Sequence, residues 1–283
     1  MPTRARLLIL SAVVAVIAAA RLNAPPPPSV SGAFGSGPTI VLVHGLGSRD
    51  EHWLPVARLL AGRHRVVLVD LPGHGASPMP DPFSLDRAIA ALDLALARET
   101  ERGPCILVGH SVGGLIATGE ALAHPERVRG LVLVETALKP QLTGPERDTL
   151  LAGLDRDYQG VLESVYETFG RDSVQGAALY REAAAMDPAM IKTWVRLALT
   201  ADLSNSAARL EMPVLAVLAA RSWPEGEAWA ATSEALGYSL IPRARGERVQ
   251  NCGHFVMLDQ PVTVARLIER FAADPAGSLL ALR

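Results

Sequence analysis

The chain has 283 residues, with 27 basic against 29 acidic side chains and a formal charge of −2. That length buries a sizeable core in one large domain or two small ones, and the near-neutral balance carries no basic footprint for nucleic acid. The two cysteines, Cys105 and Cys252, fit no metal-ligand spacing.

The start, MPTRARLLILSAVVAVIAAA, sets Arg4 and Arg6 ahead of an apolar run from Leu7 to Ala20. Residues 1–20 read as an export signal cut after Ala20, or as an N-terminal membrane anchor although the run is short for a span. Either way the expectation is an exported protein, periplasmic or secreted. NAPPPPSVSGAFGSG follows. Prolines stiffen it and glycine and serine loosen its end, so residues 21–37 read as a linker outside the fold.

From Thr39 the pattern is strand, loop, helix, repeated. TIVLVHG is a continuous β-branched and leucine run, as in a strand buried on both faces. WLPVARLLAG has helical spacing and a terminal glycine. RVVLVDLPGHG repeats the strand and loop, and SLDRAIAALDLALARE is an amphipathic helix with Ser84 as N-cap. CILVGHS, a helix to about Ala123, VRGLVLVE and PVLAVLAA continue the alternation, which implies a mainly parallel sheet with helices on both faces. Cys105 then opens one strand and Cys252 follows another. The two lie at opposite ends of the sheet, beyond bridging distance.

Between Glu135 and Met212 the rhythm breaks into helical segments such as YQGVLESVYETF and AMIKTWVRLAL. A helical lid over the strand ends is expected, with the aromatics Tyr158, Tyr166, Phe169, Tyr180 and Trp194 either lining a pocket or packing the interior. The expected units are a core over 38–136, a lid over 137–210, the rest of the core over 211–275 and a tail over 276–283.

GHSVG, Gly109 to Gly113, is G-x-S-x-G between a predicted strand and a predicted helix, the context that this motif requires. A serine at so sharp a turn exposes its hydroxyl, and the flanking glycines lack the Cβ atoms that would block the bend. The helix behind it points free N–H groups at any anion formed there. Ser111 is therefore the candidate nucleophile.

With HGLG at His44–Gly47, DLPGHGAS at Asp70–Ser77, GHSVGG at Gly109–Gly114 and NCGHFVMLDQP at Asn251–Pro261, the chain resembles the α/β-hydrolase family from Gly37 to about Ala273. The resemblance implies an eight-stranded, mostly parallel sheet, often with a lid after the sixth strand. The first two strands would have to come from Ser29–Gly35, where they look weak or absent.

The same resemblance places the catalytic base at His254 and the oxyanion donors at the backbone N–H groups of Leu46 and Val112. His110, His44 and His74 are expected to shape loops, His52, His64 and His124 to lie at the surface or at helix ends, and Asp70 to brace its own turn. A metal site from His44, Asp70 and His74 fits no known spacing. The acid departs from the commonest pattern: an aspartate usually follows the seventh strand, where this chain has Ala220, Arg221 and Ser222. Glu135, after the sixth strand, is the first candidate and Glu225 the alternative.

The expected function is cleavage of a small carboxylic ester through an acyl-enzyme, with no cofactor and no metal. Lactone opening, C–C bond hydrolysis and cofactor-free haloperoxidase chemistry on the same triad stay open, and a non-catalytic ligand receptor is the remote alternative.

Overall fold

The computed structural model describes residues 30–275. Seven strands are seen there: β1 (Val30–Phe34), β2 (Thr39–Val43), β3 (Arg65–Val69), β4 (Cys105–His110), β5 (Val128–Val134), β6 (Val214–Ala219) and β7 (Ala244–Val249). They form one sheet in the order β1-β3-β2-β4-β5-β6-β7. All neighbours run parallel except β1, which pairs antiparallel with β3. Parallel neighbours need long crossovers, and these are the helices α1 (Leu54–Leu60), α2 (Leu85–Glu99), α3 (Val112–Ala123) and α8 (Trp229–Leu236), with α9 (Val256–Asp259) and α10 (Pro261–Ala273) closing the chain. Every residue of β2, β4 and β6 is buried, which is why these strands read as unbroken apolar runs. Ser84 caps α2 as expected, accepting from the N–H of Arg87.

Between β5 and β6 stand four helices, α4 (Gly144–Arg156), α5 (Tyr158–Phe169), α6 (Ser173–Ala184) and α7 (Pro188–Thr200). They occupy the stretch in which the strand rhythm fails. Asp157, Asp172 and Asp187 each cap the helix that follows, so this polypeptide turns sharply from one short helix to the next. Trp194 of α7 ties the insertion to the core by donating its indole N–H to Pro72 O at 2.9 Å.

Two expectations need correction. Residues 30–34 are not linker: VSGAF is β1, which takes one place in the sheet and leaves seven strands where eight were implied. Its side chains are mostly exposed, so backbone pairing with β3 holds it and no apolar pattern marks it. The signal or anchor over residues 1–20, most of the linker and the tail 276–283 lie outside the described residues. Among those described, no helix is long and apolar enough to cross a membrane. The expectation of an exported or membrane-anchored protein is set aside accordingly. Cys105 and Cys252 are both free thiols, one opening β4 and the other in the loop after β7, with β5 and β6 between those two strands.

Candidate active site

Ser111 sits between the last residue of β4 and the first of α3, with φ 52° and ψ −125°. A non-glycine residue there is strained, and the strain persists because both flanks are fixed. Its N–H donates to Val134 O on β5 at 2.9 Å, and its C=O accepts from Gly114 N and from the Thr136 hydroxyl. Gly113 must be glycine, since the His44 carbonyl occupies the place of a Cβ. The hydroxyl is thereby presented above the sheet, at the positive end of α3.

Glu135 follows β5 directly, also at positive φ (48°), with its N–H donating to Val217 O. The turn swings its carboxylate across the end of β6. There Oε1 accepts from Ala219 N at 2.7 Å and Oε2 from the Ser222 hydroxyl at 2.9 Å. Oε2 also lies 3.2 Å from His254 Nδ1, with the Glu135 side chain 1 % exposed and that of His254 12 %. A carboxylate accepts hydrogen bonds and does not donate them, so the proton of this contact belongs to Nδ1. Glu225, in the loop after β6, is exposed, and no described hydrogen bond or ion pair joins it to His254. The residues Ala220, Arg221 and Ser222 are thus not a gap in the site, because Ser222 holds the carboxylate offered from the neighbouring strand.

The remainder of His254 is fixed from three sides. Its N–H donates to Phe169 O at 2.8 Å, its C=O accepts from His110 Nε2 at 2.9 Å, and its ring stacks on Phe169 with centroids 4.4 Å apart. Burial pushes the His110 pKa well below its usual range, so that ring is a neutral donor and a brace. Among the described residues no hydrogen bond reaches the Ser111 hydroxyl. Ser111 and His254 line the same pocket, and in enzymes without substrate the hydrogen bond between such groups is often long.

The loop after β2 supplies the other wall. Gly45 C=O accepts from His44 Nδ1 at 2.7 Å and from Ser48 N at 3.3 Å. In a trans peptide the Leu46 N–H points the opposite way, and no described residue accepts from it. Gly47 N–H donates to His74 Nε2 at 3.1 Å. Burial, helped by the nearby His44, pushes the His74 pKa down to about 3, so this imidazole stays neutral and able to accept. Leu46 lies opposite Val112, at the first position of α3, where helix N–H groups have no intrahelical partner.

Two hollows meet at Ser111. An apolar cavity of about 150 Å³ is walled by Leu154, Val161, Leu162, Val165, Phe169 and Phe255. An open cleft of about 700 Å³ carries Lys139, Gln141, Arg221 and Ser222 on its sides. Of the insertion's aromatics, Tyr166 and Phe169 line the cavity, while Trp194 is fully buried against the core.

His52 is not a surface residue. It is 8 % exposed, with Nδ1 2.7 Å from the Ser48 hydroxyl and Nε2 2.8 Å from Glu182 on α6. This second Ser–His–Glu chain resembles a triad, but Ser48 is fully buried and no substrate reaches it. It ties the insertion to the loop after β2. Sequence alone misses it because its acid lies 130 residues from its histidine.

Asp93, Glu120 and His124 form the one described cluster with metal-ligand geometry, at the far end of α3 from Ser111. The Arg127 guanidinium already rests on Asp93, and burial raises the Glu120 pKa to about 8, so at neutral pH this carboxyl is protonated and needs no cation.

Known proteins share this architecture. The sequence profile described as "Alpha/beta hydrolase family" matches residues 40–267. Polyketide synthase ThaQ of Burkholderia thailandensis is 34 % identical over 260 residues, which cover 86 % of this chain and 12 % of that protein. A pimeloyl-(acyl-carrier protein) methyl ester esterase of Nitrosospira multiformis is 27 % identical over 263 residues, 85 % of this chain and 96 % of its own. The chain thus spans a small part of ThaQ, and about 40 % of other methyl ester esterases that it matches. The solved esterase EaEST from Exiguobacterium antarcticum superposes with a TM-score of 0.74 over 86 % of this chain and 94 % of that one, at 18 % identity, a likeness of fold. With the profile covering most of the chain and the strand-turn-helix serine in place, the protein belongs to the alpha/beta hydrolase family.

Proposed function

We propose that the protein hydrolyses small carboxylic esters through an acyl-enzyme formed on Ser111. The observation that carries this reading is the Glu135–His254 pair, held at 3.2 Å beside an apolar cavity whose wall also holds the strained, half-buried Ser111. His254 Nε2 takes the Ser111 proton as Oγ attacks the ester carbonyl. The oxygen becomes an oxyanion between the N–H groups of Leu46 and Val112. His254 then returns the proton to the departing alcohol. Water, deprotonated by the same nitrogen, attacks the acyl-enzyme and releases the acid and free Ser111. Glu135 fixes the histidine tautomer and stabilises the imidazolium that forms at each step.

The apolar cavity suits a short hydrocarbon limb of the substrate, and the open polar cleft leaves room for a larger or more polar second limb. Helices α4 to α7 act as a lid, of which α4, α5 and α7 form most of the cavity wall. The methyl ester esterases among the relatives support an ester as the substrate class. The test is turnover of p-nitrophenyl acetate and butyrate by the wild type and by Ser111→Ala. Turnover that Ser111→Ala abolishes supports the reading, and equal turnover by both proteins overturns it.

A further inference from the structure

Tyr166 lies on α5, 120 residues from the loop after β2, and its buried hydroxyl donates to Leu46 C=O at 2.8 Å. That carbonyl belongs to the Leu46–Gly47 peptide, whose N–H is taken by His74 Nε2 at 3.1 Å. Both polar ends of one peptide plane are therefore pinned, one by the core and one by the insertion. Leu46 has only φ and ψ between this plane and the preceding one, which carries the candidate oxyanion N–H. Fixing the second plane therefore limits how far that N–H can swing.

Gly47, at φ 63°, completes the device: the Tyr166 hydroxyl occupies the place that a Cβ would need, so the loop is shaped around the phenol. The tyrosine ring also packs edge-on against Phe169, with centroids 5.6 Å apart, and Phe169 stacks on His254. A second tie, from Glu182 through His52 to Ser48, holds the same loop to α6.

We propose that Tyr166 is a positioning residue: through its hydrogen bond to Leu46 C=O it holds the Leu46 N–H in register for the oxyanion, making α5 part of the catalytic apparatus as well as a cavity wall. The inference rests on the ester-hydrolase reading above. Its energetic basis is that oxyanion donors act only when they are already oriented, since reorienting them during the reaction forfeits their advantage.

The test is Tyr166→Phe, which removes one oxygen and keeps the ring. Activity is expressed per active site titrated to completion with a fluorophosphonate, so that loss of folded protein does not count as loss of rate. With p-nitrophenyl butyrate, kcat should fall about 10- to 100-fold while KM changes less than about threefold, below the effect of deleting an oxyanion donor outright. Affinity for a trifluoromethyl ketone, which forms a tetrahedral oxyanion on the serine, should fall in proportion to kcat/KM. A purely structural role would leave that proportionality absent. Unchanged kcat, or a raised KM at constant kcat, would overturn the proposal and leave the hydrolase reading standing. A wild-type protein that neither turns over esters nor takes the label would overturn both.

Discussion

Replacing Glu135 by glutamine changes one atom in a site whose other contacts are already specified. Oε1 must remain an acceptor, because the backbone N–H of Ala219 donates to it at 2.7 Å. The amide oxygen is therefore drawn to that side, and the NH₂ group takes the place of Oε2, 3.2 Å from His254 Nδ1. Two N–H donors cannot face each other. The imidazole shifts to the tautomer with its proton on Nε2, and that nitrogen then has no lone pair for Ser111. The charge is lost as well. At 3.2 Å and an effective dielectric of about 20, a carboxylate and an imidazolium attract by about 5 kcal/mol, which is nearly four decades in rate. We expect Glu135→Gln to lower kcat by about 10³- to 10⁴-fold with KM nearly unchanged and the fold intact, as in the protease precedent for an acid-to-amide change. Glu225→Gln, at an exposed position, should keep most activity. Stopped-flow or steady-state hydrolysis of p-nitrophenyl butyrate, with circular dichroism as the folding control, reads both. A near-normal kcat in Glu135→Gln would mean that the carboxylate neither fixes the tautomer nor stabilises the imidazolium.

Three further outcomes follow from one cavity-lining residue and two buried groups. Val161→Trp should fill the apolar cavity and lower kcat/KM for p-nitrophenyl butyrate about tenfold relative to the acetate; an unchanged ratio would mean that the acyl chain lies elsewhere. His74 has its pKa depressed from 6.5 to about 3, so the unfolded chain binds the extra proton between those values. Its contribution to stability is complete above about pH 6.5 and is lost as the pH falls toward 3, by several kcal/mol in all. His74→Gln should flatten the fall in urea midpoint between pH 7 and pH 4, and an equally steep fall in the variant would assign acid lability to other groups. Glu120 is shifted the other way, from 4.5 to about 8, so the folded chain binds the extra proton and stability is lost as pH rises through that window. Glu120→Met, which removes two unpartnered buried oxygens, should raise Tm by a few degrees, more at pH 8 than at pH 5. A lower Tm at both pH values would show that those oxygens have a partner.

Part of this architecture is legible in the sequence itself. Buried parallel strands such as TIVLV and VLAVLA announce themselves because both faces need apolar side chains. GHSVG is recognisable because the strand-turn-helix geometry leaves little choice of residue around Ser111. The two edge strands are different. VSGAF and ARGERV gain mostly backbone hydrogen bonds on pairing, so burial writes little into their sequence. The choice between Glu135 and Glu225 depends on strand neighbours and on a positive φ, and local sequence encodes neither plainly. The contacts of Tyr166, Phe169, His52 and Glu182 are hardest to foresee, since each joins the insertion to loops more than eighty residues away. A tyrosine at helical spacing reads the same whether its hydroxyl meets water or a catalytic loop.

Whether Ser111 is the nucleophile is read from the site of covalent modification. The purified full chain is treated with a fluorophosphonate, its intact mass is recorded, and the modified peptide is sequenced by tandem mass spectrometry. The expected result is one adduct per chain, on Ser111 within GHSVG, absent from Ser111→Ala and slowed in Glu135→Gln. An adduct on any other residue, or no adduct on a folded protein that still hydrolyses esters, would contradict it.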